Sequence, residues 1–382
     1  SGPRGPPPAM AISESPTTTR DSSGPKPVVS KPTSDVAIKV FTIGVVHNSH
    51  RCERTVMAID TMVESVHYQE VDSGLRWVKD AAIAIDSDGP LDSDRALTPN
   101  VVKVDGGYRM YYHGFGPRRP NAASKGYILS AFSSDAEHWE KEPGVRMDAG
   151  GEGAADYIWS PDVIPLADGH YRMYYEGKTE EAGEEGVRSA IVSAVSADGL
   201  VWEKEPGIRL DVENASYGAP RCLHLDPGPG QDGPRYRLYA SDFHDHQIVS
   251  AVSDDGLRFE PELGVCIARD RELESYEVYA PEVLLLGTGG YRMYYAGWVS
   301  APEVRAGSKY HGRIFSARSE DGLQWVKDGD ICIDNGGRWD TVKASEPCII
   351  DLPDKRHRMF YEACDLDGRW RIASATAASG EN

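Results

Sequence analysis

The sequence predicts an all-β fold of five four-stranded antiparallel sheets set radially, the ring closed by an N-terminal strand in the last sheet. Three observations lead there. The 382 residues include 39 Gly and 25 Pro beside 19 Tyr and 8 Trp, turn formers and aromatics that suit many short strands. One string recurs five times: GYRMYYHG from Gly107, HYRMYYEG from His170, RYRLYASD from Arg235, GYRMYYAG from Gly290 and RHRMFYEA from Arg356. Each copy follows a strand centred on a proline, Pro99, Pro161, Pro220, Pro281 or Pro347, and these lie 62, 59, 61 and 66 residues apart. A period of this length marks a repeat architecture, here a five-bladed β-propeller.

Within a repeat the Pro-centred strand comes first: LTPNVV, WSPDVI, GAPRCL, YAPEVL and SEPCII. The YRMYY strand is second. Its period of two places Tyr108, Met110 and Tyr112 on one face and Arg109, Tyr111 and His113 on the other. The third and fourth strands flank a tight turn in AFSSDAEHW, AVSADGLVW, AVSDDGLRF and ARSEDGLQW, ending at Trp139, Trp202, Phe259 and Trp325. Asp-Gly is a hairpin signal because glycine accepts positive φ. The chain ends in RWRIASATA, a third strand without a fourth, while VHYQEVDSGLRWVKD at Val66–Asp80 reads as a fourth strand without predecessors. Joined, they complete the fifth blade. The arginine of YRMYY recurs in every copy, as Arg109, Arg172, Arg237, Arg292 and Arg358, so it reads as blade-to-blade architecture.

Residues 1–38 are rich in Pro, Ser, Thr and Gly and bury too little to order themselves, which predicts a disordered tail ahead of one propeller domain over residues 39–378. The opening SGPRGPPPA reads as added sequence, with Met10 the expected native start. No signal-peptide pattern follows Met10, so a cytoplasmic location is expected; a signal removed from this sequence would leave the same trace. The six cysteines form no CxxC and are expected as buried free thiols. A net charge of −19 argues against nucleic acid and anionic membrane surfaces as partners. No apolar run approaches the roughly 18 residues of a membrane span. The sequence leaves the oligomeric state open.

Function is expected where the blades differ. On one rim the turns are short; on the other lie the longer segments Phe115–Lys125, Thr179–Val187, Trp298–Gly312 and Glu142–Tyr157, the side expected to bind. The residues after the prolines are Asn100, Asp162, Arg221, Glu282 and Cys348; Glu346 precedes the last one. His113 and Glu176 end second strands, and Trp159, Tyr279 and Trp298 supply aromatic surface. Carboxylates and aromatic platforms converging on one channel are how a sugar site is built. Asp162, Glu282 and Glu346 are the expected catalytic groups. Asn100, His113, Trp159, Glu176, Arg221, Tyr279 and Trp298 are the expected substrate-binding groups, with Arg221 meeting an anionic or hydroxyl group. His244, Asp245 and His246 with Asp242 could meet a cation, but a solvated hairpin is the commoner outcome, and no metal or cofactor is expected.

At WSPDVI the sequence resembles the five-bladed propeller glycosidases, the arabinanase, xylosidase and fructosidase-like group, over about residues 60–375. The resemblance implies a positioning role for Asp162. It also implies an aspartate in the first blade and an acid glutamate before the third proline. Here LTPNVV offers Asn100, and SYGAPRC offers Gly218 and Ala219. Glu282 and Glu346 are then the relocated acid and base of a glycosidase-like enzyme acting on a carbohydrate or sugar-like small molecule. Two alternatives stand beside it: a repurposed non-hydrolytic cyclase, lyase or isomerase, and a catalytically silent sugar-binding propeller.

Overall fold

The computed structural model describes residues 76–116, 126–180, 187–225, 233, 235–287, 289–299 and 312–377. The chain divides into Ser1–Val63 and Glu64–Asn382, and every described residue lies in the second unit. The expected tail over residues 1–38, its boundary at residue 39 and the stretch Val66–Leu75 lie outside the described residues, as do residues 117–125, 181–186 and 300–311.

Strands are almost the only regular secondary structure among the described residues. β1 (Trp77–Lys79) stands first. One meander runs β2 (Arg95–Val104), β3 (Gly107–Phe115) and β4 (Tyr127–Ser133), edged by β5 (Glu140–Lys141) and β6 (Met147–Asp148). The next is β7 (Tyr157–Pro165), β8 (Tyr171–Glu180), β9 (Val187–Ser196) and β10 (Glu203–Glu205). Then come β11 (Tyr217–His224), β12 (Tyr236–Asp242), β13 (Gln247–Ser253) and β14 (Glu260–Pro261). After one 3-10 turn follow β15 (Glu277–Leu285), β16 (Tyr291–Trp298), β17 (Gly312–Ser319) and β18 (Val326–Ile333). The last run is β19 (Lys343–Asp351), β20 (His357–Cys364) and β21 (Trp370–Ala377), and β1 pairs antiparallel with β21, Trp77 opposite Ala377. Neighbours within each run are antiparallel, but the runs are not five separate sheets. Single parallel pairs, Gly312 with Lys343 and Arg95 with Trp370, link three of them into one thirteen-stranded sheet.

The five first strands touch in the order β2, β7, β11, β15, β19 and back to β2. Between adjacent runs the second-strand side chains do the joining. Arg109 donates to both oxygens of Glu142 in its own run and to the Asp198 carbonyl of the next. Arg172 does the same with Glu205 and Asp255, and Arg237 with Glu262 and Asp321. Tyr111, Tyr174 and Tyr239 donate to the carbonyls of Gly199, Gly256 and Gly322. These glycines have φ of +72°, +71° and +77°, as the turn requires. The preceding aspartate closes the turn: Asp198 Oδ1 accepts from the amides of Leu200 and Val201. Apolar clusters fill the space between runs, for example Met110, Tyr112 and Phe360, with Trp139 edge-on to Phe360 at 5.3 Å.

Candidate functional site

Each first strand breaks its ladder at the proline, which has no N–H to donate. The register shifts between Leu97 and Asn100, Trp159 and Asp162, Gly218 and Arg221, Tyr279 and Glu282, and Ser345 and Cys348. The residue before each proline sits in the left-handed region: Thr98 at φ 52°, Ser160 at 42°, Ala219 at 45°, Ala280 at 52° and Glu346 at 52°. A non-glycine residue there costs about 1–2 kcal/mol. Five such bulges turn five side chains inward, and Thr98, Ser160, Ala219, Ala280 and Glu346 line one narrow central pocket with Arg221.

The residues after the prolines form the floor beneath it. Asn100 Oδ1 accepts from the Val163 amide at 3.0 Å, and Asp162 Oδ2 from Cys222 at 2.7 Å. Glu282 Oε1 accepts from Ile349 at 2.8 Å, and Cys348 Sγ from Val101 at 3.2 Å. Arg221 cannot accept, and instead lies between two carboxylates. Its Nη1 meets Asp162 Oδ1 at 2.9 Å and its Nε meets Glu282 Oε2 at 2.5 Å. Asn100 Nδ2 adds a bond to Asp162 Oδ1 at 3.1 Å. Burial raises both carboxyls, Glu282 to about 7, against the pull of Arg221; the two negative neighbours keep the guanidinium charged.

Above the floor the carboxylates are paired with lysines. Glu176 Oε1 meets Lys178 at 2.9 Å and Ser189 Oγ at 2.9 Å, and its Oε2 accepts from the Ala219 amide at 3.1 Å. A Cβ on Gly218 would lie 2.3 Å from that carboxyl, so the glycine standing where the resemblance expects an acid makes room for Glu176. Glu362 Oε1 accepts from Lys343 Nζ at 2.7 Å and from Ser345 Oγ at 3.1 Å. Lys343 Nζ lies over the rings of Trp298, Trp370 and Tyr279 at 4.4, 4.7 and 5.6 Å. Lys178 covers Trp159 at 5.3 Å, and His113 stacks on the same indole at 4.1 Å. His113 is fully buried, neither ring nitrogen has a hydrogen-bond partner among the described residues, and burial lowers it to about 3, so it is neutral.

Glu346 is held differently. Its carboxyl lines the central pocket and, among the described residues, accepts one hydrogen bond, from Ser160 Oγ at 3.3 Å. Its dense surroundings and then Glu362 push it up to about 8, with Lys343 pulling the other way.

The ten expected site residues therefore fall into three places. Asn100, Asp162, Arg221 and Glu282 are the floor. Glu346 is on the pocket wall. His113, Trp159, Glu176, Tyr279 and Trp298 surround the lysine pairs, with Tyr279 edge-on to Trp298 at 5.1 Å. Neither lysine carries a role that the sequence alone assigns. Their signal is weak, because an ordinary lysine two residues past Glu176 or three before Glu346 looks like any rim charge. His244 pairs with Asp245 and His246 with Glu277 across to β15, and among the described residues no group of three or more His, Cys, Asp or Glu side chains could hold a metal ion.

No protein-family model matches the sequence. The uncharacterized protein MT1551 of Mycobacterium tuberculosis (strain CDC 1551) is 23% identical over 277 residues, 71% of this chain and 68% of that one. The uncharacterized protein Rv1502 of Mycobacterium tuberculosis (strain H37Rv) is 30% identical over 173 residues, 44% of this chain and 52% of its own length. Among solved structures, one described as a glycoside hydrolase aligns at a TM-score of 0.61 and 16% identity, over 80% of this chain and 94% of that one. A thermostable family-43 glycoside hydrolase gives 0.57 and 17%, over 75% and 90%. A GH130 structure, from a family described as mannoside phosphorylases containing glycoside hydrolases for β-1,2 mannosidic linkages, gives 0.56 and 14%, over 78% and 96%. At these identities the likeness is one of fold: the chain folds as the glycoside hydrolases of propeller-type families do.

Proposed function

We propose that this protein is a glycosidase-like enzyme acting on a carbohydrate or sugar-like small molecule in the central pocket of a five-bladed ring. The ring reading draws support from the cyclic contact of the five first strands and from β1 supplying the fourth strand beside β21. The functional reading rests on Glu346. Among the described residues it is the carboxyl that lines the pocket, it stands on a strained bulge, and its surroundings push it up to about 8. A carboxylic acid protonated near pH 7 is what a glycosidic leaving oxygen needs. Asp162 and Glu282 fix Arg221 and through it the floor, while Trp159, Tyr279 and Trp298, expected beneath a sugar ring, pack against Lys178 and Lys343 and are not among the residues that line the pocket.

The test is turnover on a panel of phenyl glycosides and oligosaccharides. Glu346→Gln should cut the rate by about 100-fold or more. Equal rates for parent and variant would remove Glu346 from the chemistry.

One observation favours the non-hydrolytic alternative. The Asp162–Arg221–Glu282 triad leaves neither carboxylate free to activate water. Turnover in ¹⁸O-water separates the readings, since hydrolysis puts the label in the product and an elimination or isomerisation does not. Ligand binding by calorimetry with no product would point to a sugar-binding protein.

A further inference from the structure

We propose that the central pocket is a site for one water molecule, set against Thr98, Glu346 and Arg221. This water carries the Glu346 proton to the leaving oxygen, and Thr98 is its positioning residue. The inference rests on the reading of Glu346 as the acid.

The size of the pocket comes first. The space among the five bulges and Arg221 is about 10 Å³. One water needs roughly that much, and a sugar ring needs far more. The sugar therefore lies over the pocket, and only a water-sized guest enters it.

The polar groups around that space come second. Thr98 is 3% exposed, and its Oγ1 has no hydrogen-bond partner among the described residues. A buried hydroxyl left unpaired costs free energy, and such groups are where buried waters bond. Glu346 Oε2 accepts from Ser160 Oγ, and among the described residues nothing bonds Oε1. Arg221 uses Nη1 for Asp162 and Nη2 for the Pro347 carbonyl, while each of these nitrogens carries two hydrogens.

Charge selects the guest. The Arg221 guanidinium on the pocket wall disfavours a cation. Asp162 and Glu282, both against that guanidinium, disfavour an anion. A neutral water both donates and accepts, so it suits an acid, a hydroxyl and a guanidinium together.

The step balances. The O–H bond of Glu346 breaks, and its proton joins the oxygen of the pocket water. That water gives one of its own protons to the glycosidic oxygen, whose bond to the anomeric carbon breaks with the electron pair on oxygen. A solvent water bonds to the carbon and releases a proton, which returns through solvent to Glu346. A hemiacetal and an alcohol depart, and the pocket water is restored.

The experiment compares the parent protein with Thr98→Val, Thr98→Ser and Glu346→Gln. It reads turnover of phenyl glycosides, the dependence of rate on the deuterium fraction of the solvent, and thermal unfolding. Thr98→Val keeps the side chain's shape and removes one bond to the water, so it should lose about tenfold in rate. Thr98→Ser, which restores the hydroxyl, should recover that loss. The parent's rate should curve against deuterium fraction, as two protons moving together require. Thr98→Val should gain no stability, because it gives up a bond to water.

The proposal is overturned if Thr98→Val stays within about twofold of the parent, or if the parent's deuterium dependence is a straight line. It is equally overturned if Thr98→Val melts about 2 °C or more above the parent, which marks a hydroxyl that no water meets. In each of these cases a damaged Glu346→Gln leaves the functional reading standing. An unaffected Glu346→Gln, or a parent inactive on every glycoside, removes both.

Discussion

At the short-turn rim, Arg109, Arg172 and Arg237 each clasp a glutamate of their own run and a turn carbonyl of the next, bond for bond alike. At the central pocket, the corresponding positions after the prolines hold Asn100, Asp162, Arg221, Glu282 and Cys348, five different side chains on one backbone plan. In these three runs the layer solves one packing problem the same way, whereas Arg292 turns to Asp328 and Ser316 of its own run and Arg358 to Glu137 and the Ala136 carbonyl. The central layer inherits the bulges and abandons the symmetry. That is where a ligand can be read, and Arg221 shows how far the divergence goes: four neighbours accept an amide from the next strand, while it pairs with two of them instead.

The contrast predicts activity losses without stability losses at the pocket wall, and the reverse at the rim. The largest effect should be Glu346→Gln, with about 100- to 10,000-fold lower turnover and an almost unchanged melting temperature. A variant that melts early and turns over normally would reverse the assignment. Next comes Arg221→Met, which leaves Asp162 and Glu282 buried without their cation and should cost about 3–5 kcal/mol in urea unfolding. A loss below about 1 kcal/mol would show that the triad holds nothing together. At the rim, Arg237→Met removes charge-assisted bonds to Glu262 and Asp321 and should cost about 2 kcal/mol. Its kcat should match the parent's; a large drop would place chemistry in the repeated layer.

Acidity adds a smaller signature. Glu346 and Glu282 are raised from 4.5 to about 8 and about 7, so the folded protein holds protons there that the unfolded one has released. Their contribution to stability is full below about pH 4.5 and falls as pH rises through 7 and 8. Melting temperatures across that window should decline less steeply in Glu346→Gln than in the parent, and parallel slopes would count against a buried, protonated Glu346. The smallest effect is expected at Ala280→Gly. Relief of a left-handed alanine at φ 52° is set against the greater freedom of glycine in the unfolded state, leaving a change within about 1 kcal/mol.

The strand plan was readable because its signals are local: YRMYY carries the period of two, Asp-Gly the turn, proline the break in the first strand. The meeting of Asp162, Arg221 and Glu282 was readable only as proximity. Which carboxylate the guanidinium would neutralise depends on how three bulges aim their side chains, and those residues are 59 and 61 positions apart in sequence. Arg221, expected to meet a ligand, faces the protein's own acids. Lys343 was less legible still. Its partners, Trp298, Trp370, Tyr279 and Glu362, come from other strands and share no motif with it. Gly218 looked like a missing acid, and its meaning appeared only with the Glu176 carboxyl pressed against it.

The measurement that bears most directly on Glu346 as the proton donor is kcat/KM against pH for the parent and for Glu346→Gln, on a phenyl glycoside that the parent turns over. The parent should fall off with an apparent pKa near 8, and the variant's residual activity should lack that descending limb. A parent profile flat through pH 9, or a descending limb retained by the variant, would contradict the account.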